Sequence, residues 1–85
     1  MEIEFGPAKD HINIAKHGVS LDRAADLEIL AFTEDGRQEY GEIRYRAWGL
    51  IDGEYFCLAF THRQNHLRAI SLRRAHKKEI KRHVP

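Results

Sequence analysis

The spacing of apolar residues changes along this chain, from a helical period in its first third to an alternation typical of strands. Three apolar residues share one face of a first predicted helix: Ala8, Ile12 and Ala15. Pro7 suits the first helical position, and Gly18 ends the helix. Ser20 is a good N-cap for a second short helix. A brief strand at residues 3–5 precedes these helices, and a short strand at residues 30–33 follows them.

Strand-like alternation dominates the second half of the chain. It begins with a predicted strand at residues 42–51, and the Asp52-Gly53 pair that follows is a strong signal for a β-hairpin. The remaining elements follow in order: strands at residues 54–61 and 67–72 with a loop at 62–66 between them, and a helix at 73–83. The order predicts an α+β domain with two N-terminal helices, an antiparallel sheet of about four strands and a basic C-terminal helix.

The length of 85 residues allows one small domain, so we treat residues 1–85 as a single unit. Folding at this size buries roughly 60–65% of the unfolded chain's surface, which leaves no room for a large interior pocket, and we expect no cofactor. The single cysteine, Cys57, cannot form an internal disulfide or a cysteine-based zinc site. No apolar stretch reaches about 18 residues and no basic leader precedes an apolar segment, so we expect a cytoplasmic protein without membrane contact.

Charge is distributed unevenly, although the net charge is only +1. Residues 1–56 contain six Lys/Arg and twelve Asp/Glu, whereas residues 57–85 contain eight Lys/Arg and a single acidic residue, Glu79. Four basic residues form a stripe on the predicted last helix: Arg74, Lys77, Lys78 and Lys81. This polarity indicates a polyanionic partner, most simply nucleic acid, and a solvated helix face beside an acidic partner protein is the alternative.

The predicted strand faces place basic residues beside an open surface. Along residues 54–61 the large apolar side chains share one face, and the smaller residues of the other face lead to Arg63. Ala69 and Ser71 are expected on the matching face of the next strand, which leads to Arg73. Four small residues are therefore expected to form the floor of a shallow surface: Ala59, Thr61, Ala69 and Ser71. Three polar residues of the preceding strand are expected near it: Glu42, Arg44 and Arg46.

These residue types suit RNA cleavage without a metal ion. The 2′-hydroxyl of RNA is itself the nucleophile, so the protein needs to hold the phosphate, offset its growing charge and move two protons. Arginine suits the charge because its planar guanidinium donates two hydrogen bonds to phosphate. His62, His17 and Glu42 are candidates for the proton transfers, and capping or salt-bridging roles are equally open to them. His62 and His66 lack an accompanying HExxH motif or cysteine pair, so we expect no metal site.

Five segments occur in the same order as in a known family: FGPAK at 5–9, KHGVS at 16–20, YGE at 40–42, THR at 61–63 and RAISLRRA at 68–75. Through them, nearly the whole chain resembles the BrnT toxins of bacterial type II toxin–antitoxin systems. The resemblance implies a RelE-like ribonuclease fold, inhibition of translation by RNA cleavage, and neutralisation by a BrnA-type antitoxin. It also implies that operator DNA is contacted only through the DNA-binding domain of that antitoxin.

The matched positions and the predicted faces together give two sets of candidate site residues. The candidate catalytic residues are Arg63, Arg68, Arg73, Glu42 and His62. The candidate RNA-binding residues are Lys16, His17, Arg44, Arg74, Lys77, Lys78 and Lys81. Relatives frequently carry another residue at the position of His62.

Two other functions remain open at this point: a non-catalytic nucleic-acid-binding module that could serve as an operon corepressor, and a protein-interaction domain. The nuclease prediction depends on the arginines being gathered on one shallow surface. Arginines scattered over unrelated sides of the molecule, or all tied into internal ion pairs, would remove its basis.

Overall fold

Four antiparallel strands in sequence order form the centre of the computed structural model, which describes residues 2–37, 39 and 41–85. The strands are β1 (Glu28–Glu34), β2 (Arg44–Ile51), β3 (Glu54–Arg63) and β4 (His66–Arg74). The helices are α1 (Pro7–His17), a 3-10 helix (Leu21–Asp26) and α2 (Lys77–His83). The predicted α+β class and four-stranded antiparallel sheet are confirmed. Tyr40, quoted above as part of a family motif, lies outside the described residues.

Both hairpin turns of the second half contain two residues with positive φ. At Asp52 and Gly53 the φ angles are 50° and 78°, as a type I′ turn requires, which confirms the predicted hairpin. At Gln64 and Asn65 they are 47° and 66°, so this connection is a two-residue turn rather than the longer loop predicted at 62–66. β3 and β4 are consequently longer than predicted.

α1 contacts the rest of the molecule through a polar residue. The prediction that its apolar residues face a core is wrong, because Ile12 is 62% exposed and the buried residue of the helix is Asn13. The Asn13 amide nitrogen donates to the carbonyls of Val19 at 2.8 Å and Leu72 at 2.9 Å, and the amide oxygen accepts from the Leu72 N–H at 3.0 Å. α1 therefore covers the outer edge of β4, where backbone groups need partners.

Ser20 begins the second N-terminal helix, which is a 3-10 helix rather than an α-helix. The Ser20 hydroxyl accepts from the N–H of Asp22 at 3.1 Å and donates to the Asp10 carboxylate at 2.9 Å. The Leu27 N–H donates to the Ala24 carbonyl at 3.2 Å, which is the three-residue spacing of a 3-10 turn. Ala24 and Leu27 are buried, so this short helix closes one side of the core.

The core lies between one face of the sheet and the N-terminal segment. Its buried members are Leu21, Ala24, Leu27, Ala47, Ile51, Phe56, Leu58, Phe60, Ala69 and Leu72. The predicted strand at residues 3–5 is a single bridge, in which Glu4 pairs in parallel with Arg68. The N-terminal segment therefore adds to the cover over the outer edge of β4.

A β-bulge in β4 changes which residues face the open side of the sheet. Ser71 pairs with Ala59 and Ala69 pairs with Phe60, which leaves Ile70 as an extra residue. Because one extra residue reverses the alternation, Ala69 turns into the core and is only 2% exposed. The prediction that Ala69 forms part of the open surface is therefore wrong.

The last helix is shorter than predicted. β4 continues through Arg74, which pairs with Phe56, so α2 begins at Lys77 rather than near residue 73. The Glu79 carboxylate accepts from the His76 N–H at 2.7 Å and completes a capping box at the start of α2. In the described ranges, no helix is long and apolar enough to cross a membrane.

Candidate nucleic-acid interface

The sheet face opposite the core carries a cluster of arginines, which we call the arginine face. Directly paired residues of antiparallel strands point to the same side of a sheet. Three such rows cross β2, β3 and β4: Arg44 with Thr61 and Arg68, Arg46 with Ala59 and Ser71, and Trp48 with Cys57 and Arg73. The basic residues of the arginine face are Arg44, Arg46, Arg68, Arg73 and, by alternation along β3, Arg63. Its floor consists of Ala59, Thr61 and Ser71.

Two candidate site residues lie on the opposite side of the sheet. Arg74 lies 5.6 Å over the ring of the core residue Phe56. His62 lines an apolar groove together with Phe60 and Leu67. Each of these candidates is adjacent in sequence to an arginine of the arginine face, and the alternation of side chains along a strand separates the neighbours. We therefore leave Arg74 and His62 out of the site proposed below.

Arg46 belongs to the arginine face although it is absent from the candidate sets. Arg46 lies two residues after Arg44 in β2, and this spacing predicts that both side chains lie on the same face of the sheet. None of the family motifs includes Arg46. Its guanidinium carbon lies 5.1 Å from the centre of the Trp48 ring. Its Nε is buried and has no hydrogen-bond partner among the described residues. Because this atom is covered by the protein, Arg46 contributes its positive charge to the arginine face rather than this donor.

Ion pairing is extensive among the predicted arginines. The pairs are Arg63 with Glu42 at 3.0 Å, Arg68 with Glu4 at 3.3 Å, Arg73 with Glu79 at 2.6 Å and Arg74 with Glu54 at 2.6 Å. All four arginines predicted from the second half of the chain are therefore ion-paired, which weakens the basis of the nuclease prediction. Arg46, which lies outside the predicted set, forms no ion pair with a carboxylate of the described residues, and the function proposed below rests on it and on exchange of the paired carboxylates for phosphate.

The ion pair between Arg63 and Glu42 is open to solvent. The Arg63 side chain is 53% exposed. Its Nε and Nη2 donate to the Glu42 carboxylate at 3.0 and 3.1 Å. These hydrogen bonds are the main reason that the pKa of Glu42 is lowered, so Glu42 is ionised at neutral pH. A solvent-exposed ion pair contributes little to stability, so a phosphate can replace the carboxylate at small cost.

Arg73 is held more closely, by α2. Its terminal nitrogens donate to the Glu79 carboxylate at 2.6 and 3.0 Å, and these hydrogen bonds are the main reason that the pKa of Glu79 falls to about 2. Glu79 also accepts from the Trp48 indole nitrogen at 3.3 Å. His83 stacks on the Trp48 ring with the ring centres 3.8 Å apart. α2 therefore covers one end of the arginine face.

The predicted basic stripe is divided between two elements. Arg74 lies in β4, whereas Lys77, Lys78 and Lys81 lie in α2 and are exposed. No residue of α2 is buried, so side-chain contacts such as those of Glu79 attach the helix to the sheet. The single-helix stripe was wrong because β4 extends two residues beyond its predicted end at residue 72, through Arg73 and Arg74.

A crevice of about 400 Å³ between α1 and β4 adjoins the arginine face. Its lining includes Lys16 and His17 from the last turn of α1, with Ser71 and Arg73 from β4. Burial lowers the pKa of His17, and the charges of Lys16 and Arg73 lower it further. The structure thus brings two predicted RNA-binding residues, Lys16 and His17, next to Arg73.

The arginine face and this crevice offer guanidinium groups that can bind phosphate oxygens and an imidazole that can accept a proton. Among the residues that the structure describes, no group of three or more His, Cys, Asp or Glu side chains is placed to hold a metal ion.

Comparison with known protein families matches residues 5–79 to a family described as the ribonuclease toxin BrnT of type II toxin-antitoxin systems. The matched range includes every residue of the arginine face and of the crevice. No curated protein matches the chain. Membership of this family implies an RNA substrate and an antitoxin partner. This chain belongs to the BrnT family of ribonuclease toxins.

Proposed function

We propose that this protein is an endoribonuclease that cleaves RNA without a metal ion, inhibits translation and is neutralised by a BrnA-type antitoxin. One observation carries the proposal: Arg46 and Arg73 occupy the same sheet face, on either side of a floor formed by Ala59 and Ser71. A single RNA strand can lie on this floor between the two guanidinium groups. The proposal includes a RelE-like fold and operator binding through the antitoxin alone.

The nucleophile of the proposed reaction is the RNA 2′-hydroxyl. The neutral His17 imidazole accepts the hydroxyl proton, the 2′-oxygen bonds to the neighbouring phosphorus, and the bond from phosphorus to the 5′-oxygen breaks. Water protonates the departing 5′-oxygen. The products are one fragment with a 2′,3′-cyclic phosphate and one with a 5′-hydroxyl.

His17 is preferred over the other two candidate bases because of its position. His62 lies on the side of the sheet opposite the arginine face. Glu42 accepts hydrogen bonds from two nitrogens of Arg63, Nε and Nη2. His17 lines the same crevice as Arg73, and its lowered pKa keeps the imidazole neutral at physiological pH. A neutral imidazole is the form that a general base requires.

Arg73 is the preferred ligand of the scissile phosphate. It presents two donors to the Glu79 carboxylate, which is the geometry that also suits two phosphate oxygens. Binding of RNA would exchange one anion for another at this guanidinium. Arg46 would add its positive charge beside the same phosphate or its neighbour.

Cleavage of a defined RNA by the purified protein in the presence of a chelator tests the proposal. We expect fragments ending in 2′,3′-cyclic phosphate. Arg73→Ala should reduce the rate about 100- to 1,000-fold, the usual effect of removing a preorganised donor. Arg74→Ala, one residue further along β4 and on the opposite side, should cleave at nearly the rate of the unmodified protein.

Three results would contradict the proposal: cleavage abolished by the chelator alone, no cleavage by the unmodified protein, or equal losses in both folded arginine variants. The ion pairs of Arg63, Arg68 and Arg73 favour a second candidate, a non-catalytic binding module or operon corepressor. That module would bind nucleic acid with strong salt dependence and release no product.

A further inference from the structure

An apolar groove beside β1 is left uncovered on the core side of the sheet. We call it the β1 groove; it measures about 340 Å³ and is lined by Ile29, Phe32, Tyr45, Phe60, His62 and Leu67. Phe32 is 67% exposed. The rings of Tyr45 and Phe60 stack in the groove with their centres 5.4 Å apart. An exposed apolar cluster of this kind marks an interaction surface.

The outer edge of β4 is covered by other parts of the chain, whereas the outer edge of β1 has no neighbouring strand in the described residues. At the outer edge of β4, Asn13 of α1 bonds both backbone groups of Leu72, and Glu4 forms a bridge with Arg68. β1 pairs with β2 alone, and no other strand of the described chain lies against its outer edge. β1 also contains neither proline nor lysine, the residues that commonly prevent an edge strand from pairing with another chain.

One acidic residue lies at the β1 end of the groove. Glu34 pairs with Tyr45 and so lies on the groove side of the sheet, at the end of β1. Glu4 lies beside the opposite edge of the sheet, where it forms an ion pair with Arg68 at 3.3 Å, and is not available to a segment at β1. None of the described lysines and arginines lines the groove itself. A segment that carries a basic residue beside apolar ones would complement this surface in charge.

A second copy of this chain complements the edge poorly. If two β1 strands paired antiparallel over their full length, Glu28 of each strand would lie opposite Glu34 of the other. Like charges directly opposite each other destabilise a strand pair. The edge therefore favours a partner of different sequence.

We propose that β1 and the β1 groove bind an extended segment of the antitoxin, which adds to the sheet as a fifth strand. The segment carries apolar residues at alternate positions, which enter the groove beside Phe32, and a basic residue that meets Glu34 at the end of β1. A bulge at Leu30 interrupts the register of β1, so regular pairing would run over residues 31–34. The choice of partner rests on the proposed function, since a toxin of this family has an antitoxin.

The β1 groove and the arginine face lie on opposite sides of the sheet. Binding at β1 therefore fixes the antitoxin to the toxin without occupying the RNA surface. A different part of the antitoxin must cover the arginines, and its chemistry would be acidic rather than basic.

Affinity for the antitoxin encoded in the same operon tests this inference. Phe32→Asp should weaken binding about 30-fold or more, as expected for a central apolar contact of an interface. Ile14→Asp is the matched control, because Ile14 is 47% exposed and belongs to α1, which covers the opposite edge of the sheet. The Ile14→Asp protein should bind the antitoxin like the unmodified protein. In hydrogen exchange, amides of residues 31–34 should become protected in the complex.

Equal affinities for Phe32→Asp and the unmodified protein, absence of any antitoxin binding, or a complex in which residues 31–34 exchange as fast as in the free toxin would each overturn the inference. So would dimerisation of the free protein that Phe32→Asp abolishes, because the occupant would then be a second copy. RNA cleavage by free Phe32→Asp protein should match that of the unmodified protein. If neither cleaves RNA, the proposed function fails while the affinity measurement still decides the binding surface.

Discussion

His17 is the residue whose surroundings set the pH dependence of the proposed reaction. Burial is the main cause of its lowered pKa, and the positive charges of Lys16 and Arg73 add to it. Lys9 also lines the crevice and is a further positive charge there. As a general base His17 acts when neutral, so the cleavage rate should fall as the pH drops through its pKa, which lies below the ordinary value of 6.5.

Replacing Lys16 should move this pH dependence in a defined direction. Lys16→Gln removes a positive charge, which raises the pKa of His17, so the acidic limb of the rate profile should shift to higher pH. Rates at saturating RNA between about pH 5 and 8 would measure the shift. Lys78→Gln, in the exposed part of α2, is the control and should leave the limb in place. A limb that is unchanged both in Lys16→Gln and in His17→Gln would exclude His17 as the base.

The side of the sheet on which a residue lies could be predicted from the sequence only where strand alternation was used. Alternation correctly placed Arg63 and Arg73 on one face, and it placed Arg46 beside Arg44. The family motifs, which run along the chain, grouped residues that lie on opposite sides of one strand. His62 became a candidate for its imidazole and Arg74 as part of the predicted helical stripe, because the strands were predicted to end at residues 61 and 72. Alternation along the longer observed strands places both on the side opposite the arginine face.

At the scale of elements, α2 is attached to the sheet by few contacts. Glu79 bonds Arg73 and Trp48, and His83 stacks on Trp48, while no residue of the helix is buried. Trp48 is the single tryptophan of the chain and is fully covered in the docked arrangement. Its fluorescence therefore reports directly whether α2 is docked.

We predict that Glu79→Gln shifts Trp48 emission to longer wavelength at neutral pH, because the charged contact with Arg73 is lost. In the unmodified protein the same shift should appear in acid. The pKa of Glu79 is lowered from 4.5 to about 2, so its contribution is complete above about pH 4.5 and is lost as the pH falls toward 2. Glu54→Gln breaks the exposed pair with Arg74 and should leave the neutral emission unchanged. Identical neutral spectra for Glu79→Gln and the unmodified protein would contradict this account of α2.

Helix ends and turns that depend only on neighbouring residues were predicted correctly from the sequence. Pro7, Gly18 and the Asp52-Gly53 turn lie where the sequence placed them. The bulge at Ile70 has no comparable signal, because it depends on the pairing of β4 with β3. Asn13 likewise looks like a surface residue on α1 until an edge strand needs its amide. The errors therefore occur where long-range pairing decides the outcome.

At the scale of the whole molecule, the sheet separates two surfaces of different chemistry. One side presents the arginine face, and the other presents the β1 groove with Glu34 beside it. The uneven charge along the sequence is consistent with this separation, because the basic second half supplies β4 and α2. Such a molecule can bind RNA on one side and be held by a protein on the other.

The cleavage rate of Arg46→Ala tests the central claim most directly, because Arg46 lies on the arginine face and forms no ion pair with a carboxylate of the described residues. Arg23→Ala is the matched control, since Arg23 pairs with Asp26 and Asp52 away from the arginine face. With both variants folded, the account predicts a loss of about 100-fold for Arg46→Ala and almost none for Arg23→Ala. Equal rates for Arg46→Ala and the unmodified protein would contradict the assignment of RNA binding to the arginine face.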